Sequence, residues 1–198
     1  TLTSGTVYAD YLSGTGTTDL NFRYTTVTND LDADGILLTS PIELNAGTIQ
    51  DATANNASLT YSLTNTTGIQ VDVVSPSITS LSAQPVNATY VAVQNLDFTK
   101  SFDEAITVTG TPRIPITLDP GTVYADYLSG STTTDLIFRY TIIANDLDSN
   151  GILLTTPLEL NGGSLQDAVG NNSGLTYTLT NTTGILIDAV GPSISSLS

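Results

Sequence analysis

The sequence contains no cysteine, histidine, methionine or tryptophan, and 4 of its 198 residues are basic. Without cysteine, neither disulfides nor thiolate metal sites are available. Without histidine the side chain most often used for general acid–base work is missing, and the single lysine, Lys100, stands within an apparent strand. Asp103 and Glu104 are adjacent, so in an extended chain they point to opposite faces and make no hydrolytic carboxylate pair by themselves. The expectation is a protein that is not an enzyme. No apolar run reaches membrane-spanning length and no secretion leader is seen, which argues against direct membrane insertion. With no methionine, Thr1 is not a translation start, and a processed or excised chain is expected.

What the chain does have is acid. Nineteen acidic residues against 4 basic ones give a formal charge of −15, which repels nucleic acid and anionic membranes. Such a charge also opposes compaction unless cations neutralise it, although an acidic surface equally serves solubility. A chain without disulfides needs another staple, and metal ions are the usual substitute.

It also has a repeat. Residues 4–82 align without a gap onto 120–198, and 55 of the 79 pairs are identical, a period of 116 residues. That is far longer than a solenoid unit and about the size of one immunoglobulin-like sandwich. Apolar and polar residues alternate with a period of two in short runs rich in Val, Ile, Thr, Tyr and Phe, among them Thr6 to Leu12, Leu20 to Val27, Leu96 to Phe102, Ile106 to Val108 and Arg113 to Leu118. Turn clusters such as Ser13-Gly14-Thr15-Gly16 and Asn161-Gly162-Gly163 separate them. The expected fold is all-β, with tandem immunoglobulin-like Greek-key β-sandwiches of seven to nine strands. Residues 83–119 have no counterpart before Thr1. The expected division is therefore a partial repeat over 1–75 lacking its opening strands, a complete repeat over 76–191, and the start of another repeat or a linker over 192–198. The missing strands come either from a longer tandem array or from a neighbouring chain by strand addition. Val71 to Ile78 and Ile187 to Ile194 each carry a proline, at Pro76 and Pro192, and the joint there should be short and stiff.

Each copy holds an oxygen-rich loop, Asn29-Asp30-Leu31-Asp32-Ala33-Asp34-Gly35 and Asn145-Asp146-Leu147-Asp148-Ser149-Asn150-Gly151. Asp30, Asp32 and Asp34, with the Ile36 carbonyl, follow the ligand order of a calcium loop, as do Asp146, Asp148, Asn150 and the Ile152 carbonyl. The bidentate glutamate of a helical hand is absent, since Pro41 and Pro157 stand at the twelfth position and Glu43 and Glu159 come two residues late. Asn150 carries one charge less than Asp34, so the second copy is expected to bind more weakly. The alternative is that Asp, Asn and Gly gather here because they build tight turns.

The ordered series Phe102 to Pro112, Phe138-Arg139-Tyr140, Asn145 to Ile152, Leu160-Asn161-Gly162-Gly163, Gln166 to Asn171 and Ile187 to Pro192 resembles the tandem bacterial immunoglobulin-like repeats of giant, calcium-dependent (RTX-type) surface adhesins, over the whole chain. The resemblance implies extender repeats at the bacterial cell surface, stiffened by Ca2+ and holding a distal binding domain away from the cell, in biofilm or cell adhesion. It implies that acids at the linker and in neighbouring loops bridge adjacent repeats through calcium. The matching positions are the linker aspartates Asp72 and Asp188, Asp51 and Asp167 (with Asn55 and Asn171), and the pair Asp103 and Glu104. The plainer alternative is that Asp51 and Asp167 cap turns and that Asp103 and Glu104 end a solvated strand. The partners expected are neighbouring repeats, and two other readings stand beside the extender. One is a self-assembling extracellular filament with strand exchange. The other is a carbohydrate-binding module in which Tyr8, Tyr11, Tyr124 and Tyr127 stack on surface glycans.

Overall fold

The structure is a computed structural model that describes residues 1–196, so Leu197 and Ser198 of the expected C-terminal segment lie outside the described residues. The chain is all-β. Among the described residues there is no helix, and hence none long and apolar enough to cross a membrane. It divides into two units, Thr1–Val74 and Ser75–Ser198.

The first unit has four short strands: β1 (Asp10–Ser13), β2 (Asn21–Arg23), β3 (Leu31–Asp32) and β4 (Val71–Asp72). β1 pairs with β2 and β3 with β4, both antiparallel, giving two separate two-stranded sheets. Among its described residues Leu2 is the one large apolar side chain that is buried, and the polar residues Asp30, Asp32 and Thr66 are buried as well.

The second unit is richer. Its strands are β5 (Ile78–Ala83), β6 (Ala88–Tyr90), β7 (Asn95–Thr109), β8 (Arg113–Leu118), β9 (Gly121–Ser129), β10 (Thr133–Thr141), β11 (Leu147–Asp148), β12 (Leu153–Leu154), β13 (Ser164–Gln166) and β14 (Ile185–Asp188). A seven-stranded sheet runs β12-β8-β9-β10-β7-β13, with β5 also on β7, and a three-stranded sheet runs β11-β14-β6 with β6 parallel to β14. One apolar cluster draws on both sheets: Phe98 from β7, Ile114 and Ile116 from β8, Leu136 and Phe138 from β10, and Ile185 and Ile187 from β14. Two layers sharing one core is the simplest way to bury the apolar faces of two sheets.

β7 joins into one 15-residue strand the runs expected as two, Leu96 to Phe102 and Ile106 to Val108. The register against β10 shifts near Thr133, where an irregularity absorbs the intervening residues. Its inward positions are Leu96, Phe98, Lys100 and Phe102, so the lysine occupies a core slot and is 1% exposed. Lys100 Nζ sits 3.3 Å from the centroid of the Tyr177 ring, which stabilises the cation there. Burial nevertheless pulls the Lys100 pKa down to about 8 and pushes the Tyr177 hydroxyl up to about 12.

Tyr11 and Tyr127 have the same role in their own units. The Tyr127 hydroxyl accepts the Ser131 N–H at 2.7 Å, and its ring meets Phe138 edge-to-face at 6.0 Å. The Tyr11 hydroxyl accepts the Thr15 N–H at 2.8 Å, and its ring meets Phe22 at 6.1 Å. Both rings therefore pin a hairpin from within the strand pair. Tyr124 is instead covered by Arg113, whose guanidinium carbon lies 3.6 Å from the ring centroid.

Candidate metal-binding acids

The acidic loop begins at a residue in the left-handed region, Asn29 (φ 72°) or Asn145 (φ 74°), a conformation asparagine tolerates better than most residues. The bend turns the next aspartate inward. Asp30 Oδ2 accepts the Tyr24 hydroxyl at 2.6 Å and the Val27 N–H at 2.8 Å. Asp146 Oδ2 accepts the Tyr140 hydroxyl at 2.5 Å and the Ile143 N–H at 2.8 Å. Each copy thus locks its loop with an aspartate–tyrosine clamp. The hydrogen bond to Asp30 raises the Tyr24 pKa, whereas for Tyr140 burial comes first and the bond to Asp146 adds to it. The loop ends at Gly35 (φ 105°) or Gly151 (φ 100°), where an added Cβ would overlap the backbone of Thr67 or Thr183. Only glycine meets both demands.

The second aspartate of each loop is equally buried in the two copies, at 3% exposed, but differently partnered. Asp32 Oδ1 accepts the Gly35 N–H at 2.7 Å and Oδ2 accepts the Thr3 N–H at 3.0 Å. Asp148 Oδ1 is buried with no hydrogen-bond partner. Burial raises the Asp148 pKa and the nearby Asp119 charge adds to this, while the amides of Gly151, Asn150 and Asp119 pull it back. Asp34 and Asn150 stay on the exposed side of the loop. Among the described residues the loop acids Asp30, Asp32 and Asp34 do not gather into a cluster of three ligand atoms, and neither do Asp146 and Asp148 with a third acid.

Asp51 and Asp167 each anchor a turn. The Asn55 side chain and amide and the Thr53 hydroxyl and amide hold Asp51 at a pKa of about 2. Asp167 Oδ1 accepts the N–H groups of Val169, Gly170 and Asn171, and Oδ2 accepts Asn171 Nδ2 at 2.7 Å. Burial works to raise the Asp167 pKa, but together these bonds hold it below the ordinary value. Asp103 Oδ1 accepts the Ser77 N–H and Oδ2 the Ser77 hydroxyl, bonds that outweigh its own partial burial. Asp72 and Asp188 repeat one arrangement, each accepting the N–H two residues on, from Val74 at 3.1 Å and from Val190 at 3.3 Å.

Within the second unit Glu104 and Asp167 come together, offering carboxylate oxygens within 4.8 Å of each other. Asp103, next to Glu104 but on the opposite face of β7, turns to Ser77 instead. Two carboxylates at that separation repel unless a cation or donors intervene, and hard cations prefer such oxygens. The sequence had singled out both residues. It had passed over Asp119, whose position beside Asp148 could have been found by carrying the 116-residue correspondence back one residue beyond the aligned span, to Thr3 against Asp119.

The first unit also has an open groove of about 1230 Å³, lined by Tyr8, Tyr11 and Phe22 together with Asp10, Glu43 and Asp51. Tyr11 and Phe22 of its floor are the counterparts of Tyr127 and Phe138, which the second unit packs against and into its core, so the apolar character of the groove follows from the repeat.

No protein-family model matches the chain, and neither a curated protein nor a solved structure matches it.

Proposed function

We propose that the chain consists of extender repeats of a bacterial cell-surface adhesin, immunoglobulin-like sandwiches in tandem that Ca2+ stiffens so that a distal binding domain is held away from the cell. The observation that carries this reading is the approach of Glu104 and Asp167, two acids on separate strands and turns, in a chain of charge −15 with no disulfide to staple it. The 116-residue repeat supports a mechanical role, since both copies spend their conserved-in-pair aspartates on the same turns. The linkage is simple: an ion bound only by the folded form stabilises it by about 1.4 kcal/mol at tenfold its dissociation constant. Melting temperature should rise in millimolar calcium and fall back in chelator, and Glu104→Gln should reduce the rise. Superimposable melting curves in calcium and chelator would remove calcium from the proposal.

A filament built by strand exchange is favoured by one observation, the apolar side chains that the first unit leaves exposed, such as Leu20, Phe22, Leu38 and Ile69. That reading expects non-covalent assemblies of the purified chain in sedimentation velocity that dissolve in denaturant, where the extender reading expects a monomer.

A further inference from the structure

Asp119 occupies the turn between β8 and β9 and is fastened to the acidic loop on both sides of Asp148. Its N–H donates to the Leu147 carbonyl at 3.2 Å, and its Oδ2 accepts the Ser149 N–H at 3.0 Å and the Ser149 hydroxyl at 3.1 Å. The charge of Asp119 is thereby brought close enough to act on the Asp148 carboxylate. Asp148 is 3% exposed; the amides of Gly151, Asn150 and Asp119 act on its carboxylate, yet its buried Oδ1 has no hydrogen-bond partner. A buried acceptor left bare is costly, and among native proteins it calls for an explanation such as an ion.

We infer that Asp148 Oδ1 and the Asp119 carboxylate form a second cation site, taking a hard divalent ion such as Ca2+, and that this site exists in the second unit alone. All the donors are oxygens and no nitrogen or sulfur ligand is at hand, which suits calcium rather than a transition metal. The charge of Asp119 acts on Asp148 as that of a close neighbour. The first unit shows what the loop does without a site. Thr3 stands where Asp119 stands, the second negative charge is missing, and the amides of Thr3 and Gly35 take both oxygens of Asp32. The copy with the fuller set of loop acids is thus the one whose aspartates are already satisfied, which inverts the ranking expected from Asp34 and Asn150.

The inference rests on the calcium reading above and can fail separately from it. Calcium would be titrated into the full 198-residue chain by calorimetry, with stoichiometry from native mass spectrometry. The Asp119→Asn variant keeps an oxygen for Ser149 while removing the charge, and Asp148→Asn is near-isosteric in the buried position. With unchanged far-ultraviolet circular dichroism, each should lose one bound ion or bind it at least tenfold more weakly, while Glu104→Gln should keep it. Wild-type stoichiometry and affinity in either Asp119→Asn or Asp148→Asn overturns the inference while leaving the Glu104–Asp167 reading intact. Absence of any calcium binding by the wild-type chain overturns both.

Discussion

Phe138 is fully buried, whereas Phe22, its equivalent in the first unit, is 40% exposed, and Leu136 and Leu20 differ in the same way at 0% and 37%. Leu154 and Ile185 are buried where Leu38 and Ile69 are exposed. The residue types are identical at each pair, so side-chain hydrophobicity does not set the difference. What sets it is residues 83–116, which supply Leu96, Phe98, Phe102, Ile106, Ile114 and Ile116 to the core of the second unit and have no counterpart among residues 1–74. The backbone follows the side chains. β10 is nine residues long because β7 and β9 flank it, and its equivalent β2 is three residues long with only β1 beside it. Local turn chemistry is indifferent to this. The aspartate–tyrosine clamp, the asparagine bend and the closing glycine are alike in both units, because they depend on contacts within a few residues of sequence or between neighbouring loops.

The largest expected effect tests that division directly. Phe138→Ala should destabilise the second unit by about 3–5 kcal/mol, the usual range for emptying a buried aromatic site. Phe22→Ala, removing the same atoms from a half-exposed ring, should cost roughly 1 kcal/mol or less. Urea unfolding of the two variants, followed by tyrosine fluorescence and amide exchange, would measure the two costs; equal costs would mean that the first unit buries Phe22 after all.

The next effect comes from the core lysine, which exists in the second unit alone. A basic group whose folded pKa is lowered binds fewer protons folded than unfolded, so stability should rise with pH between about 8 and the ordinary lysine value. Tyr177, raised to about 12, acts in the opposite sense and stability should fall again above pH 10. The gain from Lys100 is about 2 kcal/mol after solvent screening is allowed for. Denaturant midpoints from pH 7 to 11 should therefore pass through a maximum near pH 10 that Lys100→Met abolishes. A flat profile in the wild type would show that the Tyr177 ring holds the charged lysine as well as water does.

The all-β fold was legible because period-two alternation and turn clusters are written in adjacent residues, as in Arg113 to Leu118 and in Asn161-Gly162-Gly163. The loops Asn29 to Gly35 and Asn145 to Gly151 were legible as oxygen-rich turns for the same reason. The fate of their oxygens was not. Whether both oxygens of Asp32 or of Asp148 find partners depends on the segments of Thr3 and Asp119, residues 29 positions away in each copy. The burial of Lys100 was equally hidden, because one charged residue in an alternating run leaves the period intact while placing the charge on the inner face. Glu104 and Asp167 stand 63 positions apart, and only the pairing of β7 with β13 brings them together.

The clamp itself offers the smallest and most discriminating test, because it is the feature that the two units share. Tyr140→Phe removes a hydrogen bond to a buried carboxylate and should cost about 1–3 kcal/mol, the penalty for stripping a donor from a buried acceptor. Asp146 keeps the Ile143 amide, which places the cost toward the lower end. Tyr24→Phe removes the same bond from Asp30, which is as deeply buried as Asp146 and likewise keeps an amide, from Val27. If turn chemistry is independent of the core, the two substitutions should differ by less than about 1 kcal/mol in urea unfolding, in contrast to the phenylalanine pair. If Tyr24→Phe proves neutral while Tyr140→Phe does not, the clamp draws its strength from the core around it, and local and long-range order in these repeats are coupled.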